Sequence, residues 1–400
     1  ISIKTPMGSS PEFQIGEALK QGSVLASFLA AMHTDSLSQL FNNEGLGVMY
    51  GDLRINCLLF QDDIVKIETS NHKLNKANEF ITQYQQMNLM EFHQDKSKFM
   101  STTREKTTIK LGNIMLKETD SYLYLGDVIS KDGALKESIE ARRKSCTSTV
   151  AELNSIIEET ASENILIEAV ITYHNSIIIP KLCLNSETWN LSNTELQEME
   201  VIQNKSIKRM LRLPQGTPSQ GLRAELGIHC VENVISKRRL RFFHRLLNLP
   251  DGNITKKVMM QQLNLPGDTW LSETLYLCKK LELCDEIDTI TNMPKAKWKK
   301  LTEEAIEKDE TKKLKRWAEN SKKYSSVNLN VTKKKYIKYL PPALAVIMLK
   351  ARTGMIDVKV NYKNLYKDLQ CRKCNVHIED LHHILRCKSK LSKDEDRMIG

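Results

Sequence analysis

Two places in this chain hold residues whose types and spacing could do chemistry. The first is Leu58-Leu59-Phe60-Gln61-Asp62-Asp63-Ile64-Val65, two short apolar runs joined by adjacent carboxylates. Apolar runs of this length with β-branched residues read as strands, and an acidic pair between them belongs on a tight hairpin turn. Hard divalent cations prefer carboxylate oxygens, so Asp62 and Asp63 could hold Mg2+ or Mn2+ against a triphosphate. An Asp-Asp pair is also common in turns that bind nothing, so the pair needs its neighbours to decide its meaning.

The second place is near the C-terminal end. Cys371-Arg372-Lys373-Cys374 is followed by His382-His383 and Cys387, giving C-x2-C-x8-H-x3-C through His383. Three thiolates and one imidazole suit a closed tetrahedral zinc site, with the first pair on a tight knuckle. His382 would give C-x2-C-x7-H-x4-C instead. His383 is preferred because its four-residue step to Cys387 puts both on one helix face. His377 reads as a loop residue. The other cysteines, Cys57, Cys146, Cys183, Cys230, Cys278 and Cys284, read as small buried hydrophobes.

The elements that must position the acidic turn lie on both sides of it. Gln21-Gly22-Ser23 is a polar turn that opens an apolar helical run to Met32, with Ser23 as the simplest cap. Residues 74–87 read as an amphipathic helix. Lys96 and Lys98 follow, either of them able to steady a leaving anion or simply to sit on an exposed strand edge. Residues 107–117 alternate around Gly112-Asn113, a hairpin signal. Tyr122-Leu123-Tyr124-Leu125-Gly126-Asp127-Val128-Ile129-Ser130-Lys131-Asp132-Gly133 reads as a strand ending in a turn. Beyond it the pattern is helical, with breaks at Pro266-Gly267-Asp268 and at Pro341-Pro342.

The 400 residues carry 59 basic and 49 acidic side chains, a formal charge of +10. Between residues 291 and 340 there are 15 Lys plus Arg against 6 Asp plus Glu. Trp298, Trp317, Tyr324, Tyr336 and Tyr339 are interleaved there. Such a stretch either contacts phosphates and stacks on bases, or is a solvated helical connector whose aromatics pack inward. No apolar run reaches membrane-spanning length, and the first residues do not read as a signal peptide. Cysteine usage fits a reducing compartment, hence an intracellular protein of the nucleus or cytoplasm.

Taken in order, Gln-Gly-Ser-Val-Leu, Phe-Gln-Asp-Asp, Asp-Lys-Ser-Lys-Phe-Met and Tyr-Leu-Gly-Asp-Val-Ile resemble the palm of a reverse transcriptase. The resemblance is closest to non-long-terminal-repeat retrotransposons. Gln61 stands where Ala is usual in that class, and Ser23 is followed by Val24 rather than proline. Further on, Ser186-Glu187-Thr188-Trp189, the helix over residues 194–213, Leu222 to Gly227 and the basic helix over residues 236–248 resemble the thumb of the same elements.

The resemblance implies an RNA-directed DNA polymerase that uses an RNA template, a DNA primer or target, and dNTPs. Asp62 would be the metal-binding acid and Asp63 its supporting partner. Gln21 and Gly22, with Phe60, would face the template–nucleotide pair. Lys96 would assist pyrophosphate departure, and Leu125 and Gly126 would sit at the primer grip. Another metal-binding Asp of the family lies on an earlier palm strand, and the residues before Gln21 contain no Asp. The expectation is therefore a C-terminal portion of the enzyme, lacking the N-terminal part of the polyprotein and inactive alone. A non-catalytic nucleic-acid-binding protein and a degenerate element remnant are the alternatives. The expected fold is α+β: a partial palm over residues 1–133, a thumb-like helical domain over 134–265, a basic helical connector over 266–366 and a CCHC tail over 367–400.

Overall fold

The computed structural model of the chain describes residues 2, 4–12, 25–88, 90–102, 108–159, 166–321, 330–363 and 366–387. The fold is α+β and mainly helical. Two compact units divide it, one of Ile1–Ser121 with Met260–Leu265, the other of Tyr122–Met259 with Pro266–Gly400. Among the described residues, no helix is long and apolar enough to cross a membrane.

The first unit contains the strands β1 (Lys4–Thr5) and β2 (Gly8–Ser9), then α1 (Ala26–Asn43). Next come β3 (Val48–Tyr50), β4 (Leu53–Ile55), β5 (Cys57–Phe60), β6 (Asp63–Lys66) and α2 (Asn71–Met87). The strands β7 (Lys98–Phe99), β8 (Lys110–Leu111), β9 (Ile114–Met115) and β10 (Lys117–Glu118) follow. Strands here pair only two by two, β7 with β10 in parallel and β3 with β4, β5 with β6, β8 with β9 antiparallel. The hairpin expected around Gly112-Asn113 is β8–β9, with Gly112 at φ 58°.

Two helices cover one face of the β5–β6 hairpin. Leu37 and Phe41 of α1 and Ala77, Ile81 and Tyr84 of α2 are buried together, with Cys57 and Ile64 packed against them. Ser70 caps α2 by accepting the Lys73 N–H at 3.3 Å, which satisfies one of the helix's orphan donors. Asn56 fastens the strands to α1. Its amide donates to Ser38 O at 2.9 Å and to Asn42 Oδ1 at 2.8 Å. Gly47 is obligatory, because at φ 118° a Cβ would lie 2.6 Å from Ile55 O.

The second unit opens with β11 (Ser121–Tyr124) and β12 (Asp127–Ser130), then α3 (Lys136–Glu159), α4 (Ile167–Tyr173) and α5 (Ile179–Leu182). It continues with α6 (Asn193–Met210), α7 (Ser219–Leu226), α8 (Val231–Leu247) and α9 (Ile254–Gln261). The last helices are α10 (Trp270–Lys280), α11 (Ile287–Thr291), α12 (Lys295–Glu319), α13 (Tyr336–Tyr339), α14 (Pro342–Arg352) and α15 (Leu381–Arg386). The single strand expected within residues 122–133 is instead two strands joined at Leu125-Gly126. Both turn residues have positive φ, 47° and 80°, the geometry that folds a strand back on itself within two residues. A π-helical turn, His174–Ile178, separates α4 from α5. Pro180 follows directly and has no N–H to donate, so the widened turn accommodates the missing bond.

Buried and half-buried carboxylates tie this unit together. Asp127 Oδ1 accepts from Ser138 Oγ at 2.7 Å and from Arg142 at 3.2 Å, and its Oδ2 accepts the Trp189 indole N–H at 2.9 Å. Glu225 takes a bidentate bond from Arg352 at 2.6 and 2.8 Å. Glu310 of α12 accepts from His229, from the Cys230 N–H at 2.8 Å and from Asn233 at 3.0 Å.

Asp127→Ala removes the acceptor that Ser138, Arg142 and Trp189 share and leaves the Arg142 guanidinium uncompensated. It should cost about 3 kcal/mol in urea unfolding, with Asp127→Asn costing roughly half. Burial raises the Glu310 carboxyl, but the bonds from His229, Cys230 and Asn233 outweigh it and hold it below the usual range. A depressed folded pKa gives stability that is present above the unfolded value of about 4.3 and lost as pH falls through the folded one. The urea midpoint of the native chain should therefore fall more steeply below about pH 4 than that of Glu310→Gln.

Candidate functional site

The acidic turn is a two-residue hairpin loop. Phe60 of β5 pairs with Asp63 of β6, so Gln61 and Asp62 form the tip. Gln61 adopts φ 55°. In the β3–β4 and β8–β9 hairpins the equivalent left-handed position is a glycine, Gly51 or Gly112. A side chain there is strained by about 1 kcal/mol, which the paired strands sustain. Gln61, Asp62 and Asp63 are all exposed. The strand residues alternate: Cys57 and Ile64 face the helices, while Leu58 and Phe60 point outward and are 45% and 53% exposed. One face of a hairpin that is apolar on both faces is thus open beside the carboxylates. Among the described residues, no third His, Cys, Asp or Glu joins Asp62 and Asp63 in a metal-sized group.

The other residues implied by the resemblance are placed as follows. Lys96 lies on an exposed turn whose backbone N–H donates to His93 O at 3.2 Å, and Lys98 is exposed on β7. Leu125 and Gly126 form the β11–β12 turn in the second unit. Their carbonyls are engaged: Leu125 O accepts from Asn185 at 3.4 Å and Gly126 O from Arg142 at 2.9 Å. Gln21 and Gly22 lie outside the described residues, as does the expected cap Ser23; helix α1 is described from Ala26.

The C-terminal cluster comes together. Cys371, Cys374, His383 and Cys387 offer ligand atoms that all lie within 4.8 Å of one another. Cys371 Sγ is 4.0 Å from Cys387 Sγ, and Cys374 Sγ is 3.3 Å from His383 Nε2. Ligands about 2.3 Å from a central ion form tetrahedral edges of about 3.8 Å, so the donor set fits zinc in both type and size. His382 is exposed and outside the group. Asp380 caps α15 by accepting the His383 N–H at 2.7 Å, and the short helix sets His383 and Cys387 on one side.

The knuckle itself is a tight turn closed by a bridge between Gln370 and Ile378. Cys371 N–H donates to His377 O at 2.7 Å, and Asn375, at φ 51°, turns the chain. Backbone N–H groups of His377 and Val376 point at Cys374 Sγ and, with His383, bring its thiol down to about 6. That favours the thiolate a metal requires. Burial pushes Cys371 the other way. Glu379, fully buried, accepts from Arg372 N–H at 2.7 Å, from the Arg372 guanidinium at 2.7 to 3.0 Å and from Lys359 N–H at 3.0 Å. It locks the residue between the two cysteines to the chain before them.

Sequence reasoning did not single out Glu379 or Asp127. An isolated Glu in a polar tail carries no pattern. Asp127 carried one faint signal, an acid beginning a strand directly after glycine. Of the remaining cysteines, Cys146, Cys183, Cys230 and Cys278 are buried, with burial raising Cys146 to about 11 and Cys183 to about 12. In the basic stretch, Trp298 is core and donates to Leu240 O at 2.9 Å, and Trp317 and Tyr336 are partly buried. Of the described aromatics there only Tyr339 is largely exposed, at 72%; Tyr324 lies outside the described residues. The inward-packing reading therefore holds for most of that stretch.

No family model matches the chain. It is similar to the retrovirus-related Pol polyprotein from the type-1 retrotransposable element R2 of Popillia japonica. The two are 23% identical over 227 residues, 54% of this chain and 30% of that protein. The chain therefore covers less than a third of the length of the relative it matches.

Purified from zinc-containing medium, the chain should carry about one zinc per molecule by elemental analysis, and Cys371→Ser with Cys374→Ser should abolish it. His383→Ala should weaken zinc binding strongly while His382→Ala leaves it unchanged. Glu379→Gln should lower zinc affinity about tenfold, the usual effect of removing an outer-shell support.

Proposed function

We propose that this chain is a portion of a retrotransposon-type reverse transcriptase that binds RNA and DNA and that, in the full-length parent, adds dNTPs to a primer by two-metal catalysis. The single observation that carries the reading is the exposed, acid-tipped β5–β6 hairpin. Asp62 and Asp63 stand at its tip beside an open apolar face formed by Leu58 and Phe60. Carboxylates there can hold Mg2+ against a triphosphate, and a flat apolar face can carry a base pair. The likeness to the R2 Pol polyprotein supports the same reading.

In this reading residues 1–133 are a partial palm, 134–265 a thumb, 266–366 a basic connector and 367–400 a zinc-knuckle tail. Gln21, Gly22 and Phe60 face the template–nucleotide pair, Lys96 attends the leaving pyrophosphate, and Leu125 and Gly126 belong to the primer grip. The protein works inside the cell, in the nucleus or cytoplasm. A metal pair needs more oxygen ligands than one turn supplies. Asp62 and Asp63 alone under-ligate such a pair, so in this reading residues 1–400 bind nucleic acid and polymerise only together with a further palm carboxylate.

A primer-extension assay with Mg2+ or Mn2+ on an RNA template tests this. The expected result is retarded nucleic acid and no incorporation. Extension with a longer chain carrying the preceding palm strand, lost in Asp62→Ala, would establish the polymerase reading. Incorporation by residues 1–400 alone, sensitive to Asp62→Ala, would refute the incompleteness. Absence of any salt-dependent nucleic-acid binding would refute the function.

A further inference from the structure

In the second unit a groove runs between α3 and α6. At its centre is a cleft of about 180 Å³ with Val150 and Ile202 in its lining. Arg143, Thr147, Lys205 and Arg209 also line it, and no acidic residue does. A wider opening of about 520 Å³ adjoins it at Arg143.

Two of the three cations in the cleft are not neutralised locally. Lys205 and Arg209 are exposed, one turn apart on α6, and neither side chain forms a hydrogen bond or ion pair among the described residues. Like charges at that spacing repel, so the pair costs the helix stability and gains nothing from within the fold. The Thr147 hydroxyl is also uncommitted. Arg143 is held at the mouth by Glu140 at 2.9 Å and Glu198 at 3.4 Å, which fixes its guanidinium instead of leaving it to sweep solvent. On α12, in the most basic stretch of the sequence, Lys308 pairs with Glu282, Lys300 with Glu304, and Lys313 with Glu232 and Asp309, and its other cations stand on an exposed helix surface. Lys205 and Arg209 differ in bordering a cleft.

We infer that the α3–α6 cleft binds a phosphate group, donated to by Lys205, Arg209 and Thr147 with Arg143 at its rim. Ammonium and guanidinium donors at the edge of a small recess are what a phosphate oxyanion requires, and a hydroxyl adds a donor without adding charge. The phosphate is either one link of a nucleic-acid backbone or a free anion. The cleft carries the inference by itself; only the backbone source rests on the function proposed above.

The test uses the full zinc-loaded chain and the double variant Lys205→Ala with Arg209→Ala. A control double variant, Lys257→Ala with Lys279→Ala, removes equal charge from α9 and α10. In one arm, binding of a 20-nucleotide oligothymidylate is followed by fluorescence anisotropy across a salt series. Removing two cations that each neutralise a phosphate of a single strand should make the log–log salt slope shallower by about 1.4 in the cleft variant, with the control unchanged. In the other arm, millimolar inorganic phosphate should raise the melting temperature of the native chain and of the control but not of the cleft variant. Loss in the first arm assigns a backbone phosphate, and loss in the second alone assigns a free anion. The inference is overturned if both responses survive in the cleft variant, or if the control loses as much. Melting curves without ligand should agree within about 2 °C for all three proteins, since the replaced side chains are exposed and relieving the Lys205–Arg209 repulsion shifts the midpoint by no more than that. Failure of primer extension would leave these outcomes untouched.

Discussion

The carboxylate of Asp127 is the constraint on which the helical unit depends. It begins β12, and its two oxygens reach in different directions, one to Ser138 and Arg142 on α3, the other to the indole of Trp189. Trp189 in turn passes the connection on: its carbonyl accepts from Arg239 of α8 at 3.4 Å, and Arg239 also donates to Thr274 of α10 at 2.8 Å and Trp270 O at 3.1 Å. One acid thereby fixes a hairpin, the first long helix and the turn against which α8 and α10 are hung. Partial burial is what makes it effective. In a low-dielectric setting each of these bonds is stronger than at the surface, and each unsatisfied alternative is more costly.

The two chemical centres are built on opposite principles. The Cys/His cluster is assembled by polar contacts within a short tail: a knuckle closed by backbone bonds, a capped single-turn helix, and Glu379 clamping Arg372 between the cysteines. Its ligand atoms already sit at spacings a metal would impose. The acidic hairpin has the reverse character. Its framework is well supported from below by α1 and α2, while the outward face carries Leu58 and Phe60, which are largely exposed among the described residues.

Much of this was readable in advance. Helices over residues 74–87, 194–213 and 236–248 correspond to α2, α6 and α8, because apolar spacing near 3.6 residues and a flanking Ser are local signals. The Phe-Gln-Asp-Asp hairpin and the Gly112-Asn113 hairpin followed from turn chemistry. The Cys/His spacing selected the four residues that come together. What misled was the Tyr-Leu-Gly-Asp segment, where a continuous β-type composition hid a reversal at Leu125. A leucine at positive φ is disfavoured locally, and only the tertiary bonds from Asn185 and Arg142 to that turn make it tolerable.

The sequence by itself determined the kinds of element, the acidic turn and the metal-type ligand set, since these depend on residues close together in the chain. The tertiary structure alone decided where charge is available. Fifteen basic residues between positions 291 and 340 look like an open polyanion surface in sequence. In the fold, three of those on α12 are matched by Glu282 beyond the end of α10, by Glu232 of α8 and by Glu304 and Asp309 of α12 itself, while a lysine and an arginine on α6 that composition does not mark out border a cleft. Ion pairing is set by neighbours in space, which composition does not record.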